Sequence, residues 1–293
     1  MDKSTTILFQ KTRKLYLLTV VFFSISNIFS NECYSLNSIK ISELSEIQNQ
    51  TFYLQNKAPK ATILIVHGLN LIPSSFNQLA KDLYNNGNSV LRLSLAGSTK
   101  SEVDKKLKKS YLLKSWKQDI RCALLKMNQI HAETKKPIKS ISQSLGSLLI
   151  YWASLVEKVR FHQHVFLAPA LKVKWIFSLH KSLFFLNDDF EIPSKNLPEY
   201  SSYPFTSLGE YRSVQSLLSE LKKREKAPLN LTVFLNPKDE LVHYADSMKF
   251  FKSLKSTIII AKKGANSIGA EHLFVDAKTA GDPLYKRIKS SLE

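Results

Sequence analysis

From about residue 51 onward, short apolar segments alternate with longer segments whose apolar residues recur every three or four positions. The short segments predict buried strands, because continuous runs rich in branched residues suit a parallel sheet covered on both faces. The longer segments predict the helices that connect such strands, so the pattern indicates one α/β domain with a mostly parallel, doubly wound sheet. The predicted strands are 62–66, 89–93, 137–143, 164–167, 231–235 and 257–261, and the predicted helices are 76–85, 116–127, 145–155 and 283–292.

The alternation breaks in the interval from about residue 170 to about residue 228, where aromatic residues and prolines are concentrated. This interval is too long for a simple connection, and long connections often form lids over active sites. We interpret it as a cap inserted between two strands. An aromatic satellite core that touches no substrate is the alternative, since aromatic clusters commonly serve packing alone.

The first 33 residues have a pattern of their own. Lys11, Arg13 and Lys14 precede a charge-free stretch, residues 15–31, that is rich in Leu, Val, Ile and Phe. A basic segment followed by an apolar one and then by small polar residues is typical of a secretory signal. The apolar part is short for a membrane span of about 20 residues. We therefore expect residues 1–33 to be a signal peptide or an N-terminal membrane anchor, residues 34–293 to be the α/β domain, and the protein to be exported to the periplasm or secreted.

Net charge adds an expectation about partners. The chain carries 42 Lys and Arg against 24 Asp and Glu, a net charge of +18, which attracts anionic partners at long range. For an exported protein these are an anionic membrane or envelope surface, although the lysine runs at 105–109 and 222–224 are equally consistent with solvated faces. No nucleic-acid-reading motif accompanies the charge, which disfavours nucleic acid as a partner. The two cysteines imply no disulfide framework.

A short run in mid-chain contains the candidate nucleophile. Ser144 lies between Ser142 and Gly146, where a predicted strand ends and a strongly apolar helix begins. A hydroxyl between two small residues at such a junction indicates a nucleophile elbow, usually written G-x-S-x-G, which exposes the serine at the carboxyl edge of the sheet. Ser142 replaces the first glycine but is small enough for the turn. A serine that merely starts a helix is the alternative.

With this motif the chain resembles the α/β-hydrolase-fold serine hydrolases of the esterase or lysophospholipase kind, over about residues 51–293. His67 and Gly68 follow a strand, Asp239 lies in a turn after a late strand, and His272 lies near the C-terminus. Nucleophile, acid and base thus follow in the order that this fold uses. The resemblance implies that Ser144 is the nucleophile, that His272 takes its proton, and that Asp239 orients the imidazole.

The resemblance also implies an oxyanion hole formed by the backbone N–H groups of Leu69 and Leu145.

The acid and the base each have an alternative. Glu240 is the carboxylate that competes with Asp239 for the role of the acid, and Asp239 itself could be a turn-forming or helix-capping aspartate instead. His243 is the rival of His272 for the role of the base, because every other histidine precedes Asp239 in the chain and so departs from the order nucleophile, acid, base.

The implied reaction is hydrolysis of a carboxylic ester with an acyl or lipid-like substrate, through an acyl-enzyme and without a cofactor or a metal. A catalytically silent envelope binding module of the same fold is the alternative, because one fold hosts many functions.

Overall fold

The structure is a computed structural model, and it describes residues 33, 38–40, 42, 49–107, 111–157, 161–174, 187–226 and 229–292. The chain divides into two compact units, residues 1–35 and 36–293, and the second is the unit described below. The predicted signal peptide or anchor therefore lies outside the described residues, except for residue 33. No helix among the described residues combines the length and apolarity needed to cross a bilayer.

The strands of the described residues are, in chain order, β1 (Ser38–Ile39), β2 (Phe52–Leu54), β3 (Thr62–Val66), β4 (Ser89–Leu93), β5 (Ile138–Gln143), β6 (Gln163–Leu167), β7 (Glu191–Pro193), β8 (Phe205–Ser207), β9 (Leu231–Leu235) and β10 (Thr257–Ile260). Eight of them form one sheet in the order β1-β2-β4-β3-β5-β6-β9-β10, while β7 and β8 pair separately. Every neighbouring pair in the large sheet is parallel except β2 and β4. The predicted mostly parallel sheet is therefore confirmed.

The helices of the described residues are α1 (Asn77–Asn85), α2 (Glu102–Leu107), α3 (Leu113–Thr134), α4 (Leu145–Val156), α5 (Leu208–Lys222), α6 (Tyr244–Ser253), α7 (Ala277–Ala280) and α8 (Asp282–Ser290). Two apolar clusters lie on opposite faces of the sheet, one around Trp116 and Trp152 and the other around Phe76 and Phe274. Burial on both faces explains why β3 is apolar from Ile63 to Val66 and why all five of its residues are buried.

The interval predicted to form a cap is described at residues 170–174 and 187–226, and it contains the hairpin β7–β8 and helix α5. Its earlier aromatic residues lie within 175–186, outside the described residues.

Helix α5 was not predicted, although its start carries a recognisable signal. The Ser207 side chain accepts a hydrogen bond from the Glu210 N–H, and the Glu210 side chain accepts one from the Ser207 N–H, which is a capping box. Leu217 and Leu221 of this helix are buried in the cluster around Trp152.

Candidate active site

Ser144 occupies a sharp turn between β5 and α4. Its φ is 50° and its ψ is −112°, in the left-handed half of backbone space that residues with a side chain rarely adopt. Such strain persists only where the surroundings hold the residue in place. The Ser144 N–H donates to the Leu167 carbonyl at the end of β6 (3.0 Å), and the Ser144 carbonyl accepts from Leu148 and Ala170. The turn thus presents the hydroxyl at the carboxyl edge of the sheet.

The small residues around Ser144 have distinct structural reasons. A Cβ on Gly146 would lie 2.5 Å from the Val66 carbonyl oxygen and 2.6 Å from that of His67, so only glycine fits there. Ser142, by contrast, belongs to β5 and does not adopt a positive φ, which removes the need for glycine at that position. Its buried hydroxyl donates to the Ser147 hydroxyl, and that hydroxyl donates to the Ser142 carbonyl. The departure from the usual motif is therefore accommodated without backbone strain.

Asp239 and His272 form a buried pair. His272 Nδ1 lies 2.8 Å from Asp239 Oδ2, while Asp239 Oδ1 accepts from the N–H groups of Leu241 and Val242, each at 2.8 Å. The exposed fraction of Asp239 is only 2%. Burial would raise the pKa of this carboxyl, but the attraction to His272 and the hydrogen bonds from His272, Val242 and Leu241 outweigh it, so the pKa lies below its usual value. Asp239 is therefore held ionised against the ring.

The His272 loop is fixed by two contacts to its backbone. The Gln143 side-chain amide donates to the His272 carbonyl (3.0 Å), and the His272 N–H donates to Glu240 Oε2 (3.1 Å). Glu240, the competing carboxylate, therefore binds the backbone of the loop, and Asp239 binds the imidazole. His272 Nε2 is buried and has no hydrogen-bond partner within the described residues. Both His272 and Ser144 line the same cavity, although no hydrogen bond joins them.

The rival histidines lie elsewhere. His243 caps helix α6, where its Nδ1 accepts from the Asp246 N–H, and it does not line the cavity. His164 is buried near the start of β6 and contacts Ser140 of β5 through Nδ1, at the opposite end of the strands from Ser144. His131 and His162 both bind backbone groups near the ends of α3 and β5. His180 lies outside the described residues.

The loop after β3 supplies the second predicted oxyanion donor. His67 is buried, and its Nε2 accepts from the Leu95 N–H, so the ring supports the loop. Gly68 approaches the elbow so closely that a Cβ there would lie 3.2 Å from Ser144 Cβ. The backbone N–H groups of Leu69 and Leu145 have no partner among the described residues, and both residues line the cavity. Such groups are available to an anion.

Sequence reasoning missed the residue that ties this loop to the cap interval. Asn70 is buried, and its amide donates to the Ser194 hydroxyl and the Tyr203 carbonyl, each at 2.9 Å. Its Oδ1 accepts from the Tyr203 N–H, while the Asn196 amide donates to the Asn70 carbonyl. The φ of Asn70 is 50°, a conformation that asparagine tolerates better than most residues. Asn70 gave no sequence signal because these partners are more than a hundred residues away along the chain.

The cavity beside Ser144 has a volume of about 480 Å³. Its wall is formed by the elbow, the loop after β3, the His272 loop and the cap interval. Apolar side chains make up much of it, among them Leu69, Ile192, Val214, Leu218, Val242 and Leu273. Within the part of the chain that the structure describes, no group of three or more His, Cys, Asp or Glu side chains could hold a metal ion.

The model of the serine aminopeptidase S33 family (Hydrolase_4) matches residues 57–202. This match includes Ser144 but ends before Asp239 and His272. No curated protein sequence matches the chain.

Solved structures resemble the chain over most of its length. A structure of metagenome-derived lipolytic enzymes has 17% identity, a TM-score of 0.63 and a coverage of 84% of this chain and 96% of that one. The monoglyceride lipase of Saccharomyces cerevisiae, solved with a substrate analog, has 13% identity, a TM-score of 0.64 and coverages of 83% and 89%. The monoacylglycerol lipase of Paleococcus ferrophilus has 18% identity, a TM-score of 0.52 and coverages of 72% and 88%. The likeness to these structures shows that the chain has the α/β-hydrolase fold, and the family match over residues 57–202 agrees with that fold.

Proposed function

We propose that the protein is a serine hydrolase that cleaves a carboxylic ester through an acyl-enzyme intermediate. The observation that carries the proposal is the strained Ser144, which shares a cavity with His272, while His272 is hydrogen-bonded to a buried, ionised Asp239. A serine at an elbow, a base with one free ring nitrogen and a carboxylate on the other nitrogen are the groups that nucleophilic acyl transfer requires.

Each group then has one task. His272 Nε2 takes the Ser144 proton as the hydroxyl attacks the ester carbonyl, and the proton is later returned to the leaving alkoxide. Asp239 accepts a hydrogen bond from Nδ1–H and stabilises the imidazolium that forms. The N–H groups of Leu69 and Leu145 stabilise the oxyanion, and losing one such donor typically costs about 3 kcal/mol of transition-state stabilisation. Water then attacks the acyl-enzyme with His272 as the base.

An acyl or lipid-like substrate is the class that the cavity favours. Its wall is rich in apolar side chains, and its volume of about 480 Å³ suits a chain of several carbons. The names of two of the similar structures, monoglyceride lipase and monoacylglycerol lipase, indicate ester substrates with an acyl chain, which supports the same substrate class here.

The test is labelling by a fluorophosphonate probe, followed by turnover of esters of rising acyl length. Wild type should label at Ser144, and Ser144→Ala should neither label nor turn over the esters. Ser290→Ala is the matched control, because Ser290 lies exposed on α8 and its hydroxyl donates only to the Arg287 carbonyl. Equal turnover by wild type and Ser144→Ala would refute the serine mechanism.

A catalytically silent binding module of the same fold is the second candidate. The absence of a hydrogen bond between Ser144 and His272 favours it, although such bonds are often long in unliganded hydrolases and tighten with substrate. A folded wild-type protein that neither labels nor hydrolyses any ester would establish this second candidate.

We further propose that the protein is exported and meets an anionic membrane or envelope surface. The basic and apolar N-terminal segment and the net charge of +18 support this. N-terminal sequencing of the protein from its native host should find a start near residues 25–34 if the signal is cleaved, or membrane association if it is retained. An intact Met1 in the soluble cytoplasmic fraction would contradict export.

A further inference from the structure

The charges on the cavity wall are all of one sign. Lys174, Lys195 and Lys222 line the cavity that contains Ser144, and no Asp or Glu is among its described lining residues. Lys174 donates to the backbone carbonyl of Asp239, which places its ammonium group beside the catalytic pair. Lys195 and Lys222 are exposed at the mouth. Like charges around a concave apolar wall focus a positive potential into the cavity.

These lysines differ from other basic side chains near helix α5. Lys117 pairs with Glu220, and Arg212 pairs with Asp188, so the charges of those two basic residues are balanced locally. Lys195 and Lys222 have no ion-pair partner among the described residues. An unpaired ammonium group at the mouth of a cavity is available to an anion that enters it.

We propose that the substrate is an ester that combines an apolar chain with an anionic group, and that Lys195 and Lys222 bind this group. The inference rests on the proposed hydrolase function and names the substrate class of the same site. The apolar wall around Ile192, Val214 and Leu218 accommodates the chain. Lys174 extends the positive wall to the catalytic pair. Phosphate and carboxylate share the chemistry that lysine recognises, and the anion can lie on the alcohol side or the acyl side of the ester bond.

The test compares pairs of soluble esters that differ only in the anion. Hexanoylglycerol phosphate is compared with hexanoylglycerol, which places a phosphate on the alcohol side. Nitrophenyl hydrogen suberate is compared with its methyl ester, which places a carboxylate on the acyl side. We expect kcat/KM to favour the anionic member of at least one pair by about tenfold, the size expected for two exposed charge contacts. The preference should decrease as ionic strength rises.

The variants are chosen to separate local binding from general charge. Lys195→Gln with Lys222→Gln should reduce the preference to less than about threefold, and the Lys→Arg versions should keep it. Lys223→Gln is the matched control for the Lys222 half of the double variant. It removes one positive charge, as Lys222→Gln does, at the next position, but Lys223 lines a separate groove with Tyr111 and Arg212. If Lys223→Gln reduces the preference as much as the double variant does, the lysine site is refuted.

A binding measurement on Ser144→Ala keeps the inference independent of catalysis. Isothermal titration calorimetry compares the affinity of this variant for the two members of the hexanoylglycerol pair and for the two members of the suberate pair. Tighter binding of an anionic member, lost in the double lysine variant, supports the site even if no ester is hydrolysed, and that result would count against the proposed function alone. Hydrolysis that depends on Ser144, with equal kcat/KM and equal affinity within both pairs, would overturn the lysine site and leave the proposed function intact.

Discussion

Replacing Gly146 by alanine tests whether the elbow depends on a close approach of two backbones. The new Cβ would lie 2.5 Å from the Val66 oxygen, 2.6 Å from the His67 oxygen and 2.9 Å from the Val66 carbonyl carbon. All three are backbone atoms at the end of β3, so no side chain can rotate away. The start of α4 must therefore move from the sheet, and Ser144 and the Leu145 N–H move with it.

The expected size follows from two opposing effects. Alanine is about 1 kcal/mol better than glycine inside a helix, which would stabilise the variant if there were no clash. Overpacking by one methyl typically costs 1–3 kcal/mol and occasionally more. Because the atoms in the way cannot relax as side chains do, we expect the upper end of that cost, about 3 kcal/mol. After the gain of about 1 kcal/mol, the net loss in the free energy of unfolding is about 2 kcal/mol, or a decrease of roughly 4–8 °C in Tm.

The assay is urea unfolding together with the initial rate of fluorophosphonate labelling. Gly264→Ala is the control, because its Cβ would meet the Cα of Gly281 at 3.2 Å and the Ala280 oxygen at 4.0 Å, and Gly264 does not line the cavity. We expect Gly146→Ala to lose both stability and labelling, and Gly264→Ala to keep labelling. A Gly146→Ala protein as stable as wild type, with the wild-type labelling rate, would refute the close-approach reasoning.

Three further predictions address other parts of the molecule. Asp239→Asn should lower kcat by roughly 10³–10⁴-fold in an ester assay, because the amide no longer stabilises the imidazolium of His272, while a loss below about tenfold would remove Asp239 from the mechanism. Asn70→Ala leaves the N–H and carbonyl of Tyr203 without their buried partners and frees the loop that carries Leu69. We therefore expect kcat to fall by about 10- to 100-fold, with a smaller change in KM. An unchanged kcat would show that the Asn70 contacts do not position the Leu69 N–H. Burial lowers the pKa of His164 to about 4 in the folded protein, whereas the unfolded chain has the ordinary value of about 6.5. Between these two pH values the unfolded chain binds a proton at His164 and the folded protein does not. The free energy of unfolding should therefore fall as pH decreases from about 6.5 towards 4. Urea unfolding at pH 7 and pH 5 should show that His164→Gln removes about 2 kcal/mol of that pH dependence, and an identical dependence in both proteins would contradict a neutral buried imidazole.

The elements that could be predicted are those with a strong local pattern. Strands β3, β4 and β9 begin and end where predicted, because each run is largely buried and is followed by a polar residue. Strand β5 begins one residue later than predicted, after Pro137, which has no N–H to donate to the sheet. Strands β1 and β2 and the hairpin β7–β8 were not predicted, since two or three residues carry too little periodicity to be recognised.

What the sequence determined by itself is the fold class and the position of the candidate nucleophile. The alternation of apolar periods specifies a parallel sheet, and the run from Ser142 to Gly146 carries the elbow within five residues, so both signals are local. The resemblance pointed to Asp239 and His272, but only the tertiary structure separated them from the rival carboxylate and the rival histidine. Asp239 and His272 are 33 positions apart but are hydrogen-bonded in the fold. The turn that contains Asp239 directs the Glu240 side chain to the backbone of the His272 loop, and the His243 side chain caps helix α6. The tertiary structure alone also brought the lysines and Asn70 to the cavity, because three-dimensional contacts between distant segments leave no periodic trace in the chain.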